Sequence, residues 1–484
     1  MKNMTLEYIA KACSGIYYGD KDKKGRTIKG VAIDSREIKQ DFLFIPIVGA
    51  KADGHDFIKS VFENGALASL SERKLDDCFN PYIFVKSCEQ ALKDIATYYR
   101  NQLTIPIVGI TGSVGKTSTK EMISSVLSQR YDVLKTAGNY NNEIGLPLTI
   151  LRIKEHHQVA VVEMGISDFG EMHRLAQIAK PDIGVITNIG MCHLEKLKTR
   201  DGVLKAKTEM LEFIKDDGCL ILNGDDDKLV TIDHVKNIYP LFYGVEPRKE
   251  YKDNPMIEKE ENRTNSEEKN AVKKKFIIAK DIVNHGLLGT QAFFHTPKGN
   301  INIRILIPGR HNVYNALVAA CVGIALDLDL SKIQQGILAA STIGGRANLI
   351  EAKGLTIIDD CYNANPVSMK ASIDILEYAL ARKIAVLGDM GELGKDEKWL
   401  HYTIGMYVAE KQIDTLFCIG PLSKEMAKGA LDTNGRCEVY HFHTIDEMLP
   451  CLLEYTKAED TILVKASHFM GFPVVVEALK KGIA

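Results

Sequence analysis

The chain has 484 residues, 45% of them hydrophobic, and a formal net charge of −2, so several domains with sizeable cores are expected, without an electrostatic footprint for nucleic acid or an anionic membrane surface. Its ten cysteines stand singly, without zinc-ligand spacing or a disulfide framework, which fits a reducing compartment. No apolar run approaches the roughly 20 residues of a membrane span, and the first twenty residues lack a long apolar core, so a cytoplasmic protein without a membrane span is expected.

Residues 1–102 read as a small mixed α/β domain, with short strands around 31–33 and 42–46 and a helix near 57–64. From 103 onward, strands at 105–110, 159–164, 183–189 and 219–223 alternate with helical patterns, as a parallel doubly wound sheet requires. This central domain is expected to run to 342. Within it, 246–275 is dense in Lys, Glu, Asp and Asn and poor in large apolar residues, which predicts an exposed, mobile insertion. The segment 312–326 has apolar residues at helical spacing, with Asn312 and Asn315 near its start, placed to face a ligand or to cap the helix. After 343 a second alternation begins, with strands at 355–359, 383–388, 415–419 and 461–465 and helices between them. It carries no G-x-G-x-x-G, so a dinucleotide site of the usual kind is not expected there.

The segment with the clearest chemistry is IPIVGITGSVGKTST at 105–119, an apolar strand entering a glycine-rich turn and then a helix. Gly112, Ser113 and Gly115 let backbone N–H groups converge on phosphate oxygens. Lys116 adds a point charge, and Thr117, followed by Ser118, offers a hydroxyl to Mg2+. The loop departs from G-x-x-x-x-G-K-[ST], since Ile110 stands where the first glycine would be. A plain strand-to-helix turn is the competing reading, and the preceding strand and following amphipathic helix argue against it. ATP or GTP is the expected ligand.

Two further polar residues stand at or just beyond strand ends, where doubly wound sheets place ligands: Glu163 in VAVVEMG and His193 after GVITNIG. Beside Thr117 they would hold Mg2+ and align a terminal phosphate; read singly, they are a capping glutamate and a satisfied histidine. Lys207 falls in a helical pattern, where a solvated lysine is the ordinary explanation. Partly buried near a metal, it could instead lose its proton and take up CO2 as a carbamate, becoming an anionic ligand. IIDDCYNANPVSM at 357–369 sets Asp359, Asp360, Tyr362, Asn363 and Asn365 between a strand and a helix that Pro366 opens, which suits ribose, phosphate or peptide contacts as well as turn chemistry.

Taken together, ITGSVGKTSTKE, NYNNEIGLP, VVEMG, NIGMCHLE, AKTEM, GRHNVYNA, GGRAN and DDCYNANP, with IDSREI, LFIPIVGA and DGHDFI near the start, resemble the Mur ligases, ATP-dependent amide-bond-forming enzymes of peptidoglycan assembly. The resemblance runs over essentially the whole chain. YNANP and LGDMGELG look like the member that adds D-alanyl-D-alanine to UDP-N-acetylmuramoyl-tripeptide. The D-N-P-R motif of the member that adds the third amino acid is absent.

The resemblance implies three domains: 1–102 for the UDP-muropeptide, 103–342 for ATP, and a Rossmann-like ligase domain over 343–484. It implies that Lys116 meets the β/γ-phosphates, that Thr117, Glu163 and His193 organise Mg2+, and that Lys207 matches a lysine carbamylated in relatives. Asn315, beside Asn312, would meet adenine, and Arg346 and Asp360 the ATP phosphate and ribose. Ser35, Arg36, Asp53 and His55 fall in the region that holds the UDP-sugar. Asn139, Asn142 and Glu143, with Tyr362 and Asn363 of the last domain, are implied as muropeptide or peptide contacts. A monomer is expected. Where relatives read K-G-S-R, this chain reads Lys465, Ala466, Ser467, His468, and histidine lacks arginine's bidentate fork. The remaining alternatives are the third-residue ligase, a folylpolyglutamate-synthase-like ligase and a non-ligase phosphate-loop switch ATPase.

Overall fold

The computed structural model describes residues 1–49, 52–75, 80–245, 275–433 and 436–482. It is a three-domain α/β chain built on three sheets. The expected insertion at 246–275 lies outside the described residues except for Lys275, which begins a strand.

The first sheet has five strands in the order Ile16–Tyr18, Tyr82–Phe84, Ala68–Ser71, Phe42–Phe44, Gly30–Ala32. The helix Cys88–Arg100, capped by Ser87, leads out of it. This helix binds the first two domains together: Tyr99 Oη donates to Ile153 O at 2.7 Å, and the Arg100 guanidinium reaches Ala179 O at 2.7 Å and Asp182 Oδ2 at 3.0 Å. One cluster of buried apolar side chains runs from Leu6 and Ile95 in the first domain through Leu146, Val162 and Leu175 to Phe242 in the second.

The central sheet has nine strands. Ile107–Thr111 lies between Val159–Glu163 and Ile183–Ile186, parallel to both. The chain thus winds outward on either side of the first strand, and the carboxyl end of Ile107–Thr111 is the switch point where open α/β sheets bind ligands. Val133–Lys135 forms one edge. Cys219–Asn223, Leu241–Val245 and Lys275–Asn284 continue the parallel run on the other side. Thr290–Thr296 and Gly299–Ile305 then add antiparallel strands through tight turns. These hairpins were not announced by the sequence, whose helix–strand alternation stops at the charged segment. The strand expected over 183–189 ends at Ile186, because Thr187 and Asn188 turn toward the phosphate loop.

The last sheet has six strands in the order Asn348–Ala352, Leu355–Asp359, Thr461–Lys465, Lys383–Gly388, Thr415–Ile419, Glu438–Phe442. Separate apolar clusters cover its two faces, one around Ile373, Leu387 and Ile404, the other around Ile384, Phe417 and Val475. Asn365 caps the helix Pro366–Glu377 through a reciprocal capping box with Ser368, worth about 1 kcal/mol. The central domain touches this unit where Leu287 packs against the first cluster. Among the described residues no helix is long and apolar enough to cross a membrane.

Candidate active site

A cavity of about 800 Å3 opens between the central and last domains. One wall is the phosphate loop with Glu163, Thr187 and Asn188; another holds Asn312 and Asn315; the third, from the last domain, brings Arg346, Asp360, Tyr362, Asn363, Glu392 and Lys465. Residues separated by more than 300 positions thus face one space.

The phosphate loop is shaped by its glycines and by the chain that follows Ile186. Gly115 has φ 81° and precedes the helix Lys116–Leu127, a left-handed conformation that glycine adopts without a Cβ penalty. A Cβ at Gly112 would lie 1.9 Å from Thr187 Oγ1 and 3.3 Å from Thr187 N, so only glycine fits. Asn188 grips Val114 in both directions: Val114 N donates to its Oδ1 and its Nδ2 donates to Val114 O, each at 3.0 Å. Thr187 Oγ1 donates to the same carbonyl at 2.8 Å. The sequence reading missed both residues, although they stand in the TNIG segment directly after an apolar strand. Lys116 Nζ donates to Gly112 O at 2.9 Å, folding its ammonium back over the loop. Ser113 and Ser118 line the cavity, and Ser113 Oγ accepts from Gly190 N at 2.8 Å and from Cys192 Sγ at 3.2 Å.

Beside the loop, Thr117 Oγ1 donates to Glu163 Oε2 at 2.9 Å, and Asn141 Nδ2 donates to Glu163 Oε1 at 2.8 Å. Glu163 is 2% exposed, and among the described residues both its oxygens meet only neutral donors. A buried carboxylate without a cationic partner is costly, so this position suits a bound cation. Among the described residues no three His, Cys, Asp or Glu side chains form a metal cage. The donors present therefore fit a hard cation held largely by substrate phosphates and water.

Lys207 lies in the helix Arg200–Thr208 and is 1% exposed. Burial first and the Lys116 charge second push its pKa down to about 7. His193 sits at φ 50° before the helix Leu194–Leu197, with Nδ1 2.9 Å from Glu392 Oε2. Burial lowers its pKa, the Glu392 carboxylate opposes that, and the Lys207 and Lys116 charges add to it.

Asn312 and Asn315 line the cavity but bond internally: Thr119 Oγ1 donates to Asn315 Oδ1, Asn315 Nδ2 to Asn312 Oδ1, and Asn312 Nδ2 to Pro308 O, each at 2.8 Å. Asp360 is likewise engaged. Its Oδ1 accepts from Ala347 N at 3.0 Å, and its Oδ2 accepts from Ser372 Oγ and Lys465 Nζ at 2.5 Å each. Lys465 also donates to Asn363 O at 3.0 Å. The Arg346 guanidinium lies 4.2 Å from the centre of the Tyr362 ring, which also meets His468 edge-on at 5.7 Å.

The remaining expected contacts lie elsewhere. Asn139 is on the cavity wall, but Asn142 and Glu143 are not. Asn142 Oδ1 accepts from Gly145 N at 2.8 Å, and Glu143 pairs with Arg174 and Lys93. The walls include no residue before Ser113, so Ser35, Arg36, Asp53 and His55 belong to a separate region. Arg36 forks onto Asp34. Asp53 accepts from His55 Nδ1 at 2.7 Å and from Arg73, while His55 Nε2 accepts from Glu72 N at 3.1 Å. The DGH histidine is therefore an internal strut between Asp53 and Glu72.

A glycine-shaped loop at a sheet switch point, with Lys116, Thr117 and a cation-seeking carboxylate, defines a nucleotide-binding α/β enzyme of the phosphate-loop class. Three family models match: the Mur ligase family catalytic domain over residues 27–100, the Mur ligase middle domain over 110–323 and the Mur ligase glutamate ligase domain over 345–468. The chain belongs to the Mur ligase family. It is 35% identical over 490 aligned residues to the UDP-N-acetylmuramoyl-tripeptide--D-alanyl-D-alanine ligase of Bacillus subtilis (strain 168), covering 99% of each chain. Among solved structures, MurF from Acinetobacter baumannii matches with TM-score 0.85 and 29% identity, covering 99% of this chain and 98% of that one. MurF from Thermotoga maritima in complex with ADP matches with TM-score 0.76 and 27% identity, covering 93% and 97%.

Proposed function

We propose that this chain joins D-alanyl-D-alanine to UDP-N-acetylmuramoyl-tripeptide in the cytoplasm at the expense of ATP. The observation that carries this reading is the end-to-end match to a ligase of that name, with 99% of both chains aligned. The division of labour follows: 1–102 for the UDP-sugar, 103–342 for ATP, 343–484 for the incoming amine and closure.

A carboxylate does not react with an amine unaided. The terminal carboxylate of the tripeptide attacks the γ-phosphorus of ATP, giving an acyl phosphate and ADP; the free amine then attacks the acyl carbon, and phosphate leaves as the amide forms. The backbone N–H groups at the start of the helix Lys116–Leu127 would face the phosphates, with Asn188 holding Val114 and so the loop in shape, and Lys116 moves from Gly112 O to the transferring oxygens, stabilising their charge. Glu163, Thr117, His193 and, if carbamylated, Lys207 would hold Mg2+, which supplies further charge neutralisation. Arg346, on the opposing domain, adds a cation once the cavity narrows and helps to exclude water.

The test is phosphate release from ATP by the purified chain with L-lysine- and meso-diaminopimelate-containing tripeptides, the product read by mass. Release that depends on both muropeptide and D-alanyl-D-alanine is expected. Hydrolysis indifferent to either would overturn the ligase reading in favour of a switch ATPase.

A further inference from the structure

His193 and Glu392 belong to different domains and meet at 2.9 Å, Nδ1 to Oε2. Both have left-handed backbones, φ 50° and φ 60°, an uncommon conformation for residues with a Cβ that recurs where a site over-determines the chain. The Glu392 side chain is 68% exposed, and an exposed ion pair contributes little stability, so stability does not account for the geometry.

The loop that delivers Glu392 is built with care. Met390 N donates to the buried His401 Nε2 at 2.9 Å, and Gly391 N donates to Ser467 Oγ at 2.9 Å. Asp389 anchors the loop's start by accepting from both N and Oγ of Ser423 at 2.6 Å. Glu392 thus stands on a fixed platform at the cavity wall.

On the His193 ring, the Glu392 carboxylate lies 2.9 Å from Nδ1, near enough that a small turn of either side chain would place the ring proton between them and leave the Nε2 lone pair available. Nε2 has no hydrogen-bond partner among the described residues. A carboxylate behind the distal nitrogen is the arrangement by which proteins orient a histidine toward a cation. We propose that Glu392 is a positioning residue for His193, so that arrival of the last domain completes the cation site of the central one. This rests on the reading that His193 serves a divalent cation. It ties ordering of the site to closure: with the last domain swung away, His193 loses its carboxylate and turns freely.

The probe is Mn2+ binding to the full-length protein with ADP, followed by the spin-resonance signal of free Mn2+, in wild type, E392A, E392Q and H193A. E392A is expected to weaken Mn2+ binding about tenfold, the lower end of what loss of an orienting partner costs. E392Q, whose amide oxygen still accepts the Nδ1 proton, should recover most of that loss, and ADP affinity without metal should be unchanged in both. Unaltered Mn2+ affinity in E392A alongside a loss in H193A would overturn the proposal alone. Tighter binding in E392A would overturn it too, showing that Glu392 competes for the histidine. Unaltered affinity in H193A would instead remove the cation reading beneath it.

Discussion

Lys207, buried in the helix Arg200–Thr208, feels the Lys116 ammonium of the phosphate loop: burial first, and that charge second, bring the Lys207 pKa from 10.5 to about 7. Far more of the Lys207 amine is then free at neutral pH than in an ordinary lysine, which is almost fully protonated. A free amine adds CO2 and releases a proton to give a carbamate. With 13C-bicarbonate, the wild type is expected to show a carbamate carbon resonance that K207R and K207A lack, and both variants should lose at least about a hundredfold in rate. An active K207R would show that the positive charge, not the carbamate, is what matters. The unfolded chain holds this proton up to about pH 10.5 and the folded chain only to about 7, so the unmodified lysine opposes folding most below pH 7. That penalty is relieved as pH rises through the window.

Asn188 is expected to govern nucleotide affinity through Val114. N188A removes two hydrogen bonds to one peptide group of the loop, a loss of about 1–2 kcal/mol, or roughly tenfold in KM for ATP. N188D keeps the acceptor for Val114 N but sets a carboxylate oxygen against Val114 O, and should be worse than alanine. Equal KM values for all three proteins would show that the loop holds its shape without Asn188.

His401 makes the Glu392 platform sensitive to acid. Its Nε2 accepts from Met390 N and its Nδ1 faces Glu397 O at 2.7 Å, an arrangement only the neutral ring satisfies. Burial holds its pKa below the usual value. Below about pH 6.5 the unfolded chain takes up a proton that the folded chain refuses. This contribution to stability is therefore intact above that pH and lost as pH falls. Denaturant midpoints between pH 5.5 and 7.5 should drop more steeply for wild type than for H401Q.

Lys465 and Asp360 form a pair whose lysine is 2% exposed. K465M strands the carboxylate that also holds Ala347 N, next to Arg346, and should cost about 3 kcal/mol of stability in urea unfolding. The double variant K465M/D360N, which leaves no unpaired charge, should recover part of it. A loss in the double variant equal to that in K465M would locate the cost in packing.

The phosphate loop was legible because its chemistry is local: strand, glycines, lysine and hydroxyl lie within fifteen residues. Most strands of the last domain were legible for the same reason, since uninterrupted apolar runs such as Ile384–Leu387 are buried on both faces of a parallel sheet. Asn188, Asn141 and Glu392 were not. Each is an ordinary polar residue in a turn until the fold sets it against Val114, Glu163 or His193. His55 shows the converse, a motif residue whose two ring nitrogens are spent on Asp53 and Glu72.

The apolar cluster that runs unbroken from Leu6 to Phe242 gives the enzyme a vice with one fixed jaw. The sugar nucleotide and the triphosphate would be mounted on the same rigid block, so the reacting carboxylate and the γ-phosphorus keep their alignment whatever the rest of the molecule does. On that proposal, the seam lined by Arg346 and Glu392 is the one that would part for reactants to enter and products to leave. Most of the proximity advantage of the first chemical step would then be built into the folded chain before any closure begins.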